Sequence, residues 1–204
     1  DYFKDNRISN EITYYKTPEL ISVSMEGNGL RVKWAPVDGI STYRVYRKTV
    51  GVEGTKFIDV SDVTLYNSNS DPDTGDWGPV ESGKTYTYTV RCIDASGIVS
   101  EYESNLLRHL YLDVPAPATI SATSNSVTFT WNAVVGADAY KIYRKDVDHE
   151  GWFLVGTVGG NIVDYKDTND IREGQEYNYT VRASKEGVDS DFDVTGLSIL
   201  TPTP

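Results

Sequence analysis

The sequence is poor in residues that form covalent or metal-bound cross-links. Its 204 residues include one cysteine, Cys92, and two histidines, His109 and His149. A single cysteine excludes an intrachain disulfide, and with it the small disulfide-stabilised secreted folds. The histidines have no cysteine near them in the sequence, so we interpret each as a surface residue rather than a zinc ligand. We predict no metal site and no cofactor.

Basic residues and long apolar runs are also scarce. Against 30 acidic residues there are 19 lysines and arginines, which gives a net charge of −11 and a pI of about 4.6. An acidic surface repels a phosphate backbone, so we predict no nucleic-acid partner. No apolar run approaches the length of a membrane-spanning helix, and we predict no membrane insertion. The chain does not begin with methionine, and we expect it to be a piece of a longer protein.

Motifs of the common catalytic sites are missing as well. We find no glycine-rich phosphate loop and no grouping typical of a Ser-His-Asp triad. The Gly159-Gly160 pair is interpreted as a turn. Cys92 is interpreted as a small core residue, because a reactive thiol needs exposed, electropositive surroundings. We therefore predict that the protein is not an enzyme.

What the sequence does contain is a repeat. GKTYTYTVRCID, at 83–94, returns as GQEYNYTVRASK at 174–185. A fixed spacing between similar segments indicates duplicated structural units, and insertions between them fall in loops. Three aromatic positions recur at spacings of 97, 97 and 91 residues: Trp34 and Trp131, Tyr43 and Tyr140, and Tyr86 and Tyr177. The shorter third spacing places an insertion in the first copy.

Within each copy, apolar and polar residues alternate with a period of two, as in LRVKW and YTYTV. Such alternation is typical of half-buried strands, and no segment shows a helical stripe. We therefore predict an all-β protein of two tandem, seven-stranded, immunoglobulin-like β-sandwiches. The predicted strands lie near 20–25, 30–35, 42–48, 56–60, 63–67, 85–94 and 98–112, and near 118–123, 126–132, 139–145, 152–158, 161–165, 176–185 and 188–200.

Each copy resembles a fibronectin type III domain. The resemblance assigns Trp34 and Trp131 to the core, and Tyr86 and Tyr177 to the conserved tyrosine corner of that family. It implies domains at 18–113 and 114–204. Because SNEITYYKTPE near the start is similar to the end of the first copy, residues 1–17 are predicted to be the last strand of a preceding repeat, or a linker. The segment GKTYTYTVR is similar to repeats of secreted and surface proteins of Gram-positive bacteria.

The insertion at 67–80 has three interpretations. It is placed at the pole that faces the second domain, so Trp77 is a candidate interdomain wedge against 133–138, 156–161 or 184–189. Calcium binding is the second, although the spacing does not fit a helix-flanked calcium loop. Its oxygen ligands would be Asn69, Asp71, Asp73 and Asp76. A solvated acidic loop is the third.

The resemblance implies a non-catalytic spacer or scaffold in a secreted or surface-anchored bacterial protein, such as a glycan hydrolase or an adhesin. Its partners would be the neighbouring domains of the same polypeptide. The alternative is a module that binds glycan or protein through exposed aromatic residues. The candidate partner-binding residues are Tyr46, Tyr143, Trp77 and Trp152.

Overall fold

The computed structural model describes residues 16–72, 77–102 and 106–203. Residues 1–15, most of the predicted preceding repeat, lie outside this range. The described ranges contain fifteen β-strands and no α-helix. Accordingly, no helix long and apolar enough to cross a membrane occurs among the described residues.

The first sandwich consists of two antiparallel sheets. One sheet has the order β1-β2-β5 and the other the order β4-β3-β6-β7. The seven strands are β1 (Leu20–Met25), β2 (Gly29–Trp34), β3 (Thr42–Thr49), β4 (Lys56–Val60), β5 (Thr64–Ser68), β6 (Thr85–Ile93) and β7 (Leu107–Leu110).

The second sandwich repeats this arrangement. Its sheets have the orders β8-β9-β12 and β11-β10-β13-β14, and β15 also pairs with β13. The strands are β8 (Pro117–Thr123), β9 (Ser126–Trp131), β10 (Ala139–Asp146), β11 (His149–Gly159), β12 (Asp164–Asp167), β13 (Glu176–Lys185), β14 (Val188–Asp189) and β15 (Leu197–Leu200). The predicted all-β class with two immunoglobulin-like sandwiches is confirmed.

Period-two alternation sends one set of side chains of each strand into a core. Trp34 and Trp131 are 1% and 2% exposed, and each belongs to a separate hydrophobic cluster. Their rings lie 5.7 Å from Tyr43 and 5.3 Å from Tyr140. Each sandwich therefore has its own core, centred on an indole packed against a tyrosine of the third strand.

The seventh strand of each copy is shorter than predicted. Of the predicted 98–112, the described residues form a regular strand only at Leu107–Leu110 in the first sandwich. Instead of 188–200, the second sandwich has two short strands, Val188–Asp189 and Leu197–Leu200.

A serine accounts for this interruption in both copies. Ser100 donates its backbone N–H to the carbonyl of Cys92, and its hydroxyl accepts the N–H of Cys92, both at 3.0 Å. Ser190 makes the same two bonds to Ala183, at 2.7 and 2.9 Å. A side-chain oxygen thus replaces a backbone carbonyl of the ladder, and the chain leaves the sheet after the serine.

Candidate functional site

The outward side of the sheet β4-β3-β6-β7 carries a cluster of rings, which we call the first aromatic face. The ring of Tyr46 on β3 lies 5.9 Å from Phe57 and 5.3 Å from Tyr102. The guanidinium groups of Arg91 and Arg44 lie 4.3 Å from the ring of Tyr102 and 4.5 Å from that of Phe57. Arginine is attracted to the negative face of an aromatic ring, so these contacts hold the rings in place.

The second sandwich has an equivalent cluster, the second aromatic face. Arg182 lies 5.9 Å from the ring of Tyr143 and 4.4 Å from that of Phe192. Trp152 packs edge-on against Phe192 at 6.2 Å. Two of the predicted partner-binding residues, Tyr143 and Trp152, therefore lie on one face.

The first aromatic face contains a groove of about 540 Å³. Tyr102 and Leu106 line it and are 55% and 57% exposed. The other lining residues come from the edge of β4 and from β3 and β6: Thr55, Tyr46, Lys48, Thr87, Tyr88 and Thr89. Predicted residue Tyr46 thus borders an open surface that combines aromatic rings with hydroxyl groups.

The structure places Trp77 in the core of the first sandwich, not at the boundary between the two. It is 7% exposed, belongs to the first hydrophobic cluster and lies 4.9 Å from the guanidinium of Arg47. The predicted interdomain wedge is therefore wrong, and so is the assumption that this indole is exposed. The physical reason is that Arg47 points inward and needs a ring above it; in the second sandwich Phe153 covers Arg144 at the same 4.9 Å.

The two inward arginines are paired differently. Arg144 Nη1 lies 2.8 Å from Asp167 Oδ2, and the hydroxyl of Tyr179 donates to the same oxygen at 2.7 Å. Burial, followed by the bond to Asp167, raises the pKa of Tyr179, which keeps the phenol protonated as a donor. In the first sandwich the equivalent acceptor is neutral, since Arg47 donates to Asn67 Oδ1.

The two sandwiches meet without a free linker. Adjacent residues Tyr111 and Leu112 are both fully buried, Tyr111 in the first hydrophobic cluster and Leu112 in the second. Met25 packs against both clusters. The connection therefore belongs to the packed interior of both domains.

Two glycines bring the domains into backbone contact. A Cβ on Gly136 would lie 2.6 Å from the Cα of Gly83, and a Cβ on Gly83 would lie 3.1 Å from the Cα of Gly136. Both residues also have positive φ, 80° for Gly83 and 84° for Gly136. Any side chain at Gly136 would push the domains apart.

Polar contacts between the two domains accompany the glycine pair. The hydroxyl of Ser82 donates to the carbonyl of Val135 at 2.8 Å and accepts the N–H of Asp113 at 3.0 Å. Asp191 Oδ2 accepts the N–H of Gly27 at 2.9 Å. The pole after the insertion thus contacts the segment 133–138, but through Ser82 and not through Trp77. We call these contacts, together with the glycine pair and the buried residues Tyr111 and Leu112, the joint.

The insertion has one described carboxylate with a defined role. Asp71 Oδ2 accepts hydrogen bonds from Asn67 Nδ2 at 2.8 Å and from the N–H of Ser68 at 2.9 Å. The carboxylate of Asp71 thus stabilises the turn that follows β5. Asp73 and Asp76 of the calcium hypothesis lie outside the described residues. Within the described ranges, no three His, Cys, Asp or Glu side chains are grouped to hold a metal ion.

The histidines and the cysteine occupy separate places. His109 Nδ1 lies 2.6 Å from the carbonyl of Leu110, and His149 Nδ1 lies 2.8 Å from Asp146 Oδ1. Cys92 is 1% exposed, and burial raises the pKa of its thiol, which disfavours the reactive thiolate.

Two features shared by both sandwiches decide the fold. The fourth strand pairs with the third, whereas in a constant-type immunoglobulin domain it joins the other sheet. In addition, a buried tyrosine anchors the chain before the sixth strand: Tyr86 Oη accepts the N–H of Glu81 at 2.7 Å, and Tyr177 Oη accepts that of Arg172 at 2.8 Å. Both sandwiches have the fibronectin type III-like fold.

Comparison with known proteins gives two kinds of likeness to these tandem fibronectin type III-like domains. No protein-family model matches the sequence. Exoglucanase B of Cellulomonas fimi is 27% identical over 96% of this chain and 18% of its own length. The chain thus spans less than a fifth of that protein.

Among solved structures, a two-domain fibronectin type III segment of chicken tenascin matches 92% of this chain and all of its own, with 19% identity and a TM-score of 0.45. The chicken CNTN1 FN1-FN3 domains match 92% of this chain and 66% of their own, with 16% identity and a TM-score of 0.39.

Sequence reasoning missed the rings that complete the aromatic faces of the fibronectin type III-like domains. Tyr102 and Phe192 follow the strand-ending Ser100 and Ser190 by two residues in each copy. This repeated serine–aromatic spacing was the available signal. It was hidden because both rings lie in segments that were predicted to be regular strand.

Proposed function

We propose that this chain is a non-catalytic tandem module that holds its neighbouring domains at a fixed spacing and orientation. The parent protein would be a secreted or surface-anchored bacterial protein that acts on glycans. The relative named an exoglucanase supports this setting, because it is 27% identical over 96% of this chain and is more than five times as long.

The joint is the observation that carries the proposal. A flexible connection needs residues that belong to neither core. Here Tyr111 and Leu112 are consecutive and enter different cores, so that no residue lies between the two packed regions. The backbone contact of Gly83 with Gly136 and the hydrogen bonds of Ser82 then restrict rotation about this connection.

The proposal predicts that the two domains tumble as one body. Residual dipolar couplings, measured by NMR on the full chain in a dilute aligned medium, should fit a single alignment tensor for both sandwiches. Replacing Gly136 with Ala should separate the two tensors, because the new Cβ cannot fit 2.6 Å from the Cα of Gly83.

A matched control exists in the first domain. Gly39 occupies the position equivalent to Gly136, with φ of 76° and no atom within 4 Å of its missing Cβ. Gly39→Ala should therefore impose a similar backbone strain without altering the joint. Two different alignment tensors in the unmodified chain would contradict the spacer role.

The non-catalytic part is tested separately. Incubation of the chain with soluble and insoluble glucans, xylans and chitin should release no new reducing ends above buffer. Product release that is abolished by a point substitution in the chain would contradict it.

A further inference from the structure

The two aromatic faces are built on equivalent strands but differ at one position. In the first sandwich, Thr55 lies two residues before the strand partner of Tyr46. In the second, Trp152 lies two residues before the strand partner of Tyr143. The strand pairing therefore makes Thr55 the counterpart of Trp152.

A second pair of counterparts faces these residues. Leu106 directly precedes β7 and Gly196 directly precedes β15, and these strands pair with β6 and β13 in the same register. A Cβ on Gly196 would lie 3.0 Å from Cη2 of Trp152. The indole therefore extends across the second face to the edge formed by Gly196.

Among the described residues of the first face, no side chain occupies the equivalent place. Thr55, the counterpart of Trp152, and Leu106, the counterpart of Gly196, both line an open groove of about 540 Å³. Tyr102, the counterpart of the Phe192 that Trp152 touches, borders the groove and is 55% exposed. The second face therefore indicates the size and shape of a group that would fit the groove of the first face. That group is a flat ring that lies against aromatic side chains, as Trp152 does.

We propose that the groove of the first aromatic face binds a neutral hexopyranose ring of a glycan chain, in the place that Trp152 occupies on the second face. The rings of Tyr46 and Tyr102 present apolar surface to the C–H faces of the sugar. The hydroxyls of Thr55 and Thr87 and the ammonium of Lys48 line the same groove and can bond the sugar hydroxyls.

Charge and polarity favour this ligand over two others. The described lining contains one charged residue, Lys48, and no carboxylate, whereas the whole chain carries a net charge of −11. Of the two arginines on the same face, Arg44 is paired with Asp59, and Arg91 donates to the carbonyl of Ser100. A polyanionic ligand would be repelled by the protein as a whole. An aromatic side chain of a peptide would match the rings but would bury the hydroxyls of Thr55 and Thr87 without new hydrogen bonds, which costs affinity.

The test is an NMR titration of the full chain with cellohexaose, xylohexaose and laminarihexaose, and with a tryptophan-containing hexapeptide. At least one oligosaccharide should shift the backbone amides of Thr55, Thr87 and Leu106, with a dissociation constant of roughly 1 mM for a single bound ring. Tyr102→Ala should weaken binding roughly tenfold through loss of one stacking surface. Phe192→Ala, the same change on the second face, should leave the affinity unchanged.

The double substitution Thr55→Trp and Leu106→Gly copies the second face onto the first and should abolish binding. Dispersed amide spectra identify the variants that are folded, and Tyr102→Ala keeps the test decisive if the double variant does not fold. Three outcomes would overturn the proposal. The first is the absence of any shift with each oligosaccharide at about 10 mM, which is ten times the expected dissociation constant. The second is equal affinity in the Tyr102→Ala variant, and the third is that only the peptide shifts these amides. The groove uses none of the residues of the joint, so such a result would leave the spacer role intact.

Discussion

Replacing Asp167 with Asn is predicted to destabilise the second domain strongly, although the substitution only exchanges one carboxylate oxygen for an NH₂ group. The substitution removes the buried carboxylate that accepts from Arg144 and Tyr179 through Oδ2. Its other oxygen, Oδ1, accepts the backbone N–H of Asn169 at 3.0 Å. All three neighbours are donors, and an amide can offer an oxygen on one side only. Its NH₂ group would therefore face a donor.

The size of the effect follows from the burial of the pair. Asp167 and Arg144 have side chains that are 0% and 5% exposed. Removing one partner of a buried ion pair costs about 3–5 kcal/mol, because the remaining charge is left in a low-dielectric interior. Asp146 Oδ2, at 2.9 Å from Arg144 Nε, retains part of the counter-charge. We therefore expect about 3 kcal/mol, at the lower end of that range.

The first domain supplies the reason why Asn is stable at the equivalent position there. The NH₂ group of Asn67 faces two acceptors, the carbonyl of Gly78 at 3.0 Å and Asp71 Oδ2 at 2.8 Å. Its oxygen accepts from Arg47. In the first core both ends of the amide therefore have hydrogen-bond partners. In the second core all the neighbouring groups are donors, so only a carboxylate can accept all of their hydrogen bonds.

Native-state hydrogen exchange followed by NMR can measure this loss domain by domain. Amides of β13 should lose about 3 kcal/mol of exchange free energy in Asp167→Asn, and those of β6 should be little changed. Asp164 lies at an exposed position of β12, the strand that also contains Asp167. Asp164→Asn is therefore the matched control and should have almost no effect. A loss below about 1 kcal/mol at β13, within the range of an ordinary neutral hydrogen bond, would refute the reasoning.

Two further predictions concern pH and the first core. Burial alone would raise the pKa values of Asp146 and Asp189, but hydrogen bonds from His149 to the former and from Lys141 to the latter help to hold both below the ordinary value. The stability they provide is present at neutral pH and is lost as the pH falls below about 4. Urea unfolding of the second domain at pH 6 and at pH 2.5 measures it, and an unchanged midpoint would contradict it. Trp34→Ala should cost about 3–5 kcal/mol by removing a large core ring; calorimetry should show the first domain's transition lowered more than the second's, and the reverse order would contradict the assignment of Trp34 to that core.

The strands of the two sandwiches were predictable because the alternation of apolar and polar residues is a local signal and is repeated in both copies. TYRVYRK and AYKIYRK predict strands whatever surrounds them, since β-branched and aromatic residues suit a pleated surface. The same alternation also places Arg47 and Arg144 on the inward side, together with Tyr43 and Val45. Hydrophobicity gives no reason to bury arginine, so this consequence of the pattern is easily missed.

The error about Trp77 follows from that omission. The position of a loop tryptophan depends on which buried group needs a cover, and here the group is the guanidinium of Arg47. The interruption of the seventh strand was hidden for a similar reason. A serine hydroxyl that replaces a ladder carbonyl depends on the partner strand, and the residues of 98–112 alone do not show it.

Two differences between the copies are accompanied by a second change that restores the lost contact, but a third difference is not. Trp77 above Arg47 has its counterpart in Phe153 above Arg144, so the ring is supplied by a different segment but the space is filled in both. Asn67 for Asp167 is likewise accompanied by a change of the groups around it. Thr55 has no such compensation, because no described side chain of the first sandwich fills the groove that Trp152 fills in the second. An exposed aromatic surface that lacks the ring present on the equivalent face is where an external ring would gain most from binding.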